Sequence, residues 1–392
     1  MLIQVLKNRV KAFMTASRIS KRYRGRYLGD PNFDLAKSTA GLAPRGSLTI
    51  PPEGWDRIVA AYRKAKTVQK TAAEHFQVSN EWLPIYERSF GKAITALSAG
   101  DRPAIEAMYR NFFRDPVSVG LHGLPVDMQE VYFSGHVRKR DAALYLIDAV
   151  YRYRLWQQLV PSGQSADLVR PDIGNPYGVF LDGNFVTPGA EYQQYYASQT
   201  LALGDADQKM TVFELGGGYG GYAYFVGKLA QKGVRYIDVD LPEVLALATF
   251  YLLCSFPEKK FVLYGETENY ADQDCDFLML PNFAIDEIAA QSVDVIFNSY
   301  SLAEMSPEAI YAYVAQFGRI GRGHLLHINH VETALLGADS FRIENAGFEL
   351  VYRKKALWNM GRNLNMDEYE FLYRKAASAR SGVTDPVPVI GR

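Results

Sequence analysis

The chain has 392 residues, enough for a sizeable core and, at ordinary domain sizes, for two domains. Lys plus Arg and Asp plus Glu each number 43, so the net charge is zero, which argues against a nucleic-acid binder, since these are ordinarily basic. Cys254 and Cys275 are too few for a disulfide framework or a cysteine zinc site, and no apolar run approaches the ~18 residues that span a bilayer.

The start, Met1 to Arg26, carries Lys7, Arg9, Lys11, Arg18, Lys21, Arg22, Arg24 and Arg26 without a long apolar core, so it is not a secretory signal. It reads as a solvated helical arm, with peripheral contact to anionic lipid or a phosphorylated glycan precursor as the functional alternative. The first half then reads mainly as helix. Trp55, Ile58, Val59 and Tyr62 fall on one helical face, as do Leu144, Ile147, Tyr151 and Leu155. Asp101 before Pro103 looks like a capped helix start. Breaks fall at Gly41 to Gly54 and at Pro161 to Gly189. Thr187 is expected to cap a further helix, with Pro188 at its first position.

From Met210 the texture changes to alternating strand and helix. The strand candidates are Thr211–Leu215, Val234–Val239, Phe277–Leu280, Val293–Asn298 and His324–Asn329, with Phe348–Lys354 and Tyr369–Arg374 as an antiparallel pair at one edge. This pattern predicts an α/β, Rossmann-like domain with a mostly parallel sheet and an antiparallel edge strand, preceded by a mainly α-helical N-terminal region. The expected division is 1–190 for the helical region, 191–376 for the cofactor-binding domain and 377–392 for a loose tail. The helical half offers an acceptor lid and a surface for a homodimer.

The most telling stretch is Phe213-Glu-Leu-Gly-Gly-Gly-Tyr-Gly-Gly221, a strand running through an acid into a glycine turn and a helix. Gly216, Gly218 and Gly221 satisfy a dinucleotide fingerprint, with Asp240 at about the distance of a ribose contact. The same residues, read from Glu214 through Gly216, Gly218 and Gly220, place an acid two residues before the glycines. A pyrophosphate repels such a carboxylate, whereas a phosphate-free nucleoside carrying a sulfonium and an ammonium is favoured by it. S-adenosylmethionine is that cofactor. Asp238 and Asp240 share one face of the next strand. Asp240 can accept from both ribose hydroxyls, or, with Pro242 and Glu243, form a capping box. Tyr219 packs on the cofactor or on the core. Asn282 follows the third strand toward the adenine.

Glu214 through Gly221, the Asp240-Leu241-Pro242 corner, and Asp294 through Ser299 with Glu304-Met305 together resemble a class I S-adenosylmethionine-dependent methyltransferase, over about Glu191 to Arg374. Asn175-Pro-Tyr-Gly178, the long helical half and His327-Ile-Asn-His330 are similar to the sugar O-methyltransferase family. The resemblance implies a cytoplasmic enzyme that moves a methyl group to a sugar hydroxyl in a glycan, a nucleotide sugar or a glycosylated metabolite. Methyltransferases of other small acceptors, and a non-catalytic scaffold keeping the fold, are the alternatives.

A sugar hydroxyl is a weak nucleophile, so a positioned base should take its proton as the bond forms. His324, His327 and His330 recur every third residue, but on a strand His327 faces away from the other two. His324 and His330 would stand ~20 Å apart at ~3.3 Å per residue, too far for a metal triplet. His330, at the strand end, is the first candidate for the base and His327 the alternate. Glu304 can orient the base, hold a sugar hydroxyl, ligate a divalent metal, or remain an exposed charge. No compact ligand motif settles metal dependence. Asn298 and Ser299 are placed to meet the methionine end of the cofactor or the acceptor. Asn175, Tyr177 and Asp182 are the candidate acceptor contacts, or else parts of a turn-rich linker.

Overall fold

A computed structural model describes residues 14, 17–18, 25–27, 29–78, 82–122, 126–133, 135–205, 207–271, 273–360 and 367–376. Most of the basic start and the whole tail from 377 lie outside the described residues. Helices α1 (Leu35–Gly41), α2 (Pro52–Gln69), α3 (Leu83–Ala99), α4 (Arg102–Tyr109), α5 (Val126–Tyr132) and α6 (Lys139–Leu159) make up the first half. Their ends follow local chemistry. The Asp34 carboxylate accepts from the Ala36 and Lys37 amides, and Asp101 accepts from Ala104 at 3.2 Å, as the sequence suggested. Such caps contribute about 1 kcal/mol each. Gly100 closes α3 in the left-handed region that a side chain resists.

A short hairpin, β1 (Val179–Leu181) and β2 (Asn184–Val186), precedes α7 (Ala190–Ala202). The hairpin was not legible in the sequence. Thr187 does not cap α7: Gly189 stands at the cap, left-handed, and the Thr187 hydroxyl accepts from Arg170 instead. The main sheet contains β3 (Met210–Leu215), β4 (Val234–Asp240), β5 (Phe261–Leu263), β6 (Phe277–Pro281), β7 (Val293–Ser299), β8 (Gly321–His330), β9 (Phe348–Lys355) and β10 (Glu368–Lys375). Their order is β5-β6-β4-β3-β7-β8-β10-β9. The strands from β5 to β8 are parallel, and β10 is antiparallel to both its neighbours. This is a Rossmann-like α/β sheet whose order reverses at β3, where such folds bind ligands. All seven expected strands are present, extended by one to three residues at an end. The three-residue β5 was too short to show a pattern.

Helices α8 (Gly221–Leu229) and α9 (Pro242–Ser255) lie with α7 on one face of the sheet, and α10 (Pro307–Ile320) covers the other. Val212, Tyr236, Phe297, Leu326 and Ile328 look toward the first face. Phe213, Ile237, Ile296 and Leu325 look toward the second. The N-terminal helices are built onto the first face. Trp55 of α2 stacks on Phe250 of α9 with ring centroids 5.0 Å apart, and Phe112 meets Tyr219 of the glycine turn. One buried cluster therefore runs across residue 190 without interruption. Lys66 seals this contact with a 2.7 Å ion pair to the fully buried Glu243, which also accepts from Tyr62 and Tyr86. Glu243 is thus a packing anchor, and the capping-box alternative is not the one realised: Leu241 is the α9 cap and makes no side-chain cap. Both cysteines are buried free thiols.

Candidate active site

The glycines sit where the backbone demands them. Gly216, Gly218 and Gly220 have φ of 79°, 61° and 87°, and Gly220 caps α8. A side chain on Gly216 would strike Ser301, and one on Gly217 would strike Asp238. These contacts are a structural reason for the glycine cluster that the sequence did not reveal.

The acids around this turn are the chemically unusual feature. Glu214 on β3 pairs in register with Asp238 on β4, so their carboxyl groups lie side by side on the first face. Asp240 lies two residues further along the same strand. Glu214 is buried and accepts from the Tyr236 hydroxyl. Asp240 accepts from the Gly218 amide at 3.0 Å and the Leu241 amide at 2.6 Å. Asp238 is fully buried, and neither of its oxygens has a hydrogen-bond partner among the described residues. Burial pushes all three carboxyl groups above the ordinary range, Asp240 to about 7. The phenols of Tyr236 and Tyr222 beside Glu214 are pushed up as well, by burial and by its charge. No cationic side chain is paired with the three acids among the described residues.

At the carboxyl end of β8, His330 Nδ1 lies 3.0 Å from Asp367 Oδ1, with the imidazole about one third exposed. Asp367 also accepts from the Thr333 amide (2.8 Å), the Thr333 hydroxyl (2.7 Å) and the Glu332 amide (3.2 Å). Burial works against the Asp367 charge, but the bonds from Thr333 and His330 outweigh it and hold its pKa at about 2. An ionised Asp367 only accepts, so His330 Nδ1 carries the hydrogen and Nε2 keeps its lone pair. The ring of Tyr300, just past β7, stands 5.5 Å from that of His330. Tyr300 holds a strained φ of 66° and accepts from Asn359, which also donates to Glu368 and accepts from the buried Arg152. Tyr192 of α7 stacks toward Tyr300 and shares a 2.7 Å hydrogen bond with Ser299.

Glu214, Asp240, Ser299 and His330 therefore share the first face at the carboxyl ends of the strands. Gly216, Gly218, Gly220 and Leu241 frame the same rim. Other expectations are corrected. His327 points to the opposite face, fully buried, stacked on Phe371 with centroids 4.6 Å apart. Burial drops its pKa to about 3, so it is a neutral core histidine and no base. Asn298 is a fully buried clamp: it donates to the Leu215 carbonyl (2.9 Å) and Ser301 (2.5 Å) and accepts from Asn329 (2.9 Å). Tyr219 turns into the aromatic core, where its hydroxyl accepts from Arg170 and donates to Gln193. Asn282 donates to the Phe76 carbonyl at 2.9 Å and to Tyr313 at 3.3 Å, while its buried oxygen lacks a partner among the described residues. Glu304 is exposed at the end of a short 3-10 turn.

The three acceptor candidates serve the N-terminal architecture. Asn175 accepts from the Arg45 amide (2.8 Å) and donates to Asn111 (2.6 Å). Tyr177 is fully buried among Phe113, Tyr132 and Tyr145. Asp182, in the hairpin turn, accepts from Asn32 (2.8 Å) and Tyr153 (2.6 Å). Asp367 and Tyr300 escaped the sequence reading. Asp367 reaches His330 from 37 residues away through the antiparallel β10, and a strained tyrosine has no local signature.

Among the described residues no cluster of His, Cys, Asp and Glu is placed to hold a metal ion, and no helix is long and apolar enough to cross a membrane. No known protein family or curated protein matches the chain. Solved structures similar to it include three methyltransferases. Magnesium protoporphyrin IX methyltransferase from Synechocystis PCC 6803 is 12% identical, covering 59% of this chain and 97% of its own (TM-score 0.34). The mitomycin 7-O-methyltransferase MmcR is 15% identical over 60% and 71% (0.34). Phosphoethanolamine N-methyltransferase 2 from Haemonchus contortus is 13% identical over 50% and 55% (0.34). Likenesses this slight carry neither activity nor substrate across to this chain.

Proposed function

We propose that the protein is an S-adenosylmethionine-dependent O-methyltransferase acting on a sugar hydroxyl. The observation that carries the reading is the glycine turn walled by buried acids with no protein cation beside them. A diphosphate cofactor would meet repulsion there, whereas a ligand with a positive charge and no phosphate would complete the charge balance. Glu214 and Asp240 would hold S-adenosylmethionine, with the amides of the glycine turn alongside. When bound, it supplies a methyl group on a positively charged sulfur, ready for in-line displacement.

The chain's own contribution is the positioned base. Asp367 holds the His330 hydrogen at Nδ1 and steadies the imidazolium that forms when Nε2 takes the acceptor hydroxyl's proton. The half-exposed Tyr300 ring beside His330 offers a flat face for sugar C–H groups and a hydroxyl for hydrogen bonding. Incubation with methyl-labelled S-adenosylmethionine and a panel of nucleotide sugars, lipid-linked glycans, glycosides, phenols and amines tests the proposal. Label should enter a sugar. Label entering only phenols or amines overturns the sugar assignment, and no transfer to any acceptor overturns the enzymatic reading.

A further inference from the structure

Glu214 and Asp238 are adjacent on neighbouring strands of a fully buried sheet face, and Asp240 is next along the same strand. The three are not equally provided for. Tyr236 donates to Glu214, and two backbone amides donate to Asp240, but both Asp238 oxygens are orphaned among the described residues. Asp238 is also pressed against the turn itself, since a Cβ on Gly217 would stand 2.5 Å from its Oδ1. The titratable groups whose charges bear on the trio are Tyr222 from α8, Tyr236 from β4, Tyr313 from α10 and Glu243 from α9. All are phenols or acids, so nothing on the surrounding elements offsets a negative charge. On the adjoining strand β6, the residue in register with Asp238 is the uncharged Met279.

Two carboxyl groups side by side without water or a counter-charge do not both ionise, so one retains a proton. Burial and repulsion from Glu214 and Asp240 hold Asp238 well above its ordinary range. A cation arriving at the turn reverses that balance.

We propose that the Glu214–Asp238 pair holds a shared proton in the cofactor-free protein and releases it to solvent when a sulfonium nucleoside docks on the glycine turn. The inference rests on the methyl-donor reading and adds to it a means of telling donor from product. S-adenosylmethionine carries one more positive charge than S-adenosylhomocysteine. Methyl transfer to a hydroxyl converts the sulfonium to a neutral thioether and liberates the hydroxyl's proton. With the positive charge gone, the pair takes a proton back from solvent and the site loosens on the product.

Calorimetric titration of the full-length protein near pH 7.5, in phosphate and in Tris, counts the protons released from the difference in apparent heat. S-adenosylmethionine should release roughly one proton more than S-adenosylhomocysteine, and its affinity should rise up to about tenfold per pH unit while that of the product stays flatter. Asp238→Asn should remove most of the extra release and flatten the donor's pH dependence. Equal proton release by donor and product overturns the inference while leaving the methyl-donor reading intact. Absence of binding by both overturns the methyl-donor reading and this inference with it. The wild-type comparison decides the matter even where the variant fails to fold.

Discussion

Two polar segments invited a functional reading, and the structure treats them oppositely. In the segment from Asn175 to Asp182 the polar groups of Asn175 and Asp182 meet protein partners at hydrogen-bond distance. At the glycine turn Asp238 is buried with none, and its two acidic neighbours have no cation. A polar side chain already satisfied by the protein holds the fold together. One left buried and unsatisfied costs about 1–3 kcal/mol or more, a debt that a ligand can discharge. The same contrast separates the two histidines of β8, one buried as a neutral aromatic ring and the other joined to Asp367 at the rim.

The contrast makes graded predictions. His330→Ala should lower turnover by roughly 10²- to 10⁴-fold at saturating cofactor, with donor affinity unchanged, because the base acts only on the acceptor. Near-normal turnover would remove His330 from the role. Glu214→Gln keeps an acceptor for Tyr236 but removes the charge. It should weaken S-adenosylmethionine binding by about tenfold, ~1.4 kcal/mol, in equilibrium dialysis. Asp182→Ala should cost ~1–3 kcal/mol in denaturant unfolding by stranding Asn32 and Tyr153, with donor affinity intact. If it instead left stability alone and abolished acceptor binding, the division between the two segments would be wrong.

The pH dependence of stability carries a definite sign. Glu214, Asp238 and Asp240 have folded-state pKa values raised above their ordinary values, so the folded protein keeps protons that the unfolded chain gives up. Their contribution is whole below the ordinary carboxyl range and is lost as pH rises through about 7, the value for Asp240. The cofactor-free protein should melt lower at alkaline pH than at mildly acidic pH, and S-adenosylmethionine should narrow the gap. A melting temperature that rises across that window contradicts the assignment. The smallest effect is expected of His327→Phe, within about 1 kcal/mol, since an apolar ring replaces one that stacks on Phe371 and leaves its Nε2 unpartnered.

The strands, their parallel order and the glycine turn were legible in the sequence because strand periodicity and punctuation are local. The split of His327 from His330 followed from strand alternation alone. What escaped depends on contacts distant in sequence. Asp367 finds His330 through an antiparallel pairing, and Tyr219 turns inward because Arg170 and Gln193 wait there. Asn298 looked like a rim residue. Its amide is instead consumed by the Leu215 carbonyl and Asn329 beneath the turn. Asp238 was legible as sharing a face with Asp240, but its isolation shows only when Glu214 is seen beside it.

The most direct test of the central claim is a binding competition at the glycine turn between S-adenosylmethionine and NAD. The acidic wall should admit the cationic, phosphate-free nucleoside and refuse the diphosphate one, and Glu214→Gln should narrow the difference. Tight NAD binding that displaces S-adenosylmethionine, or indifference of both ligands to the charge at position 214, would contradict it.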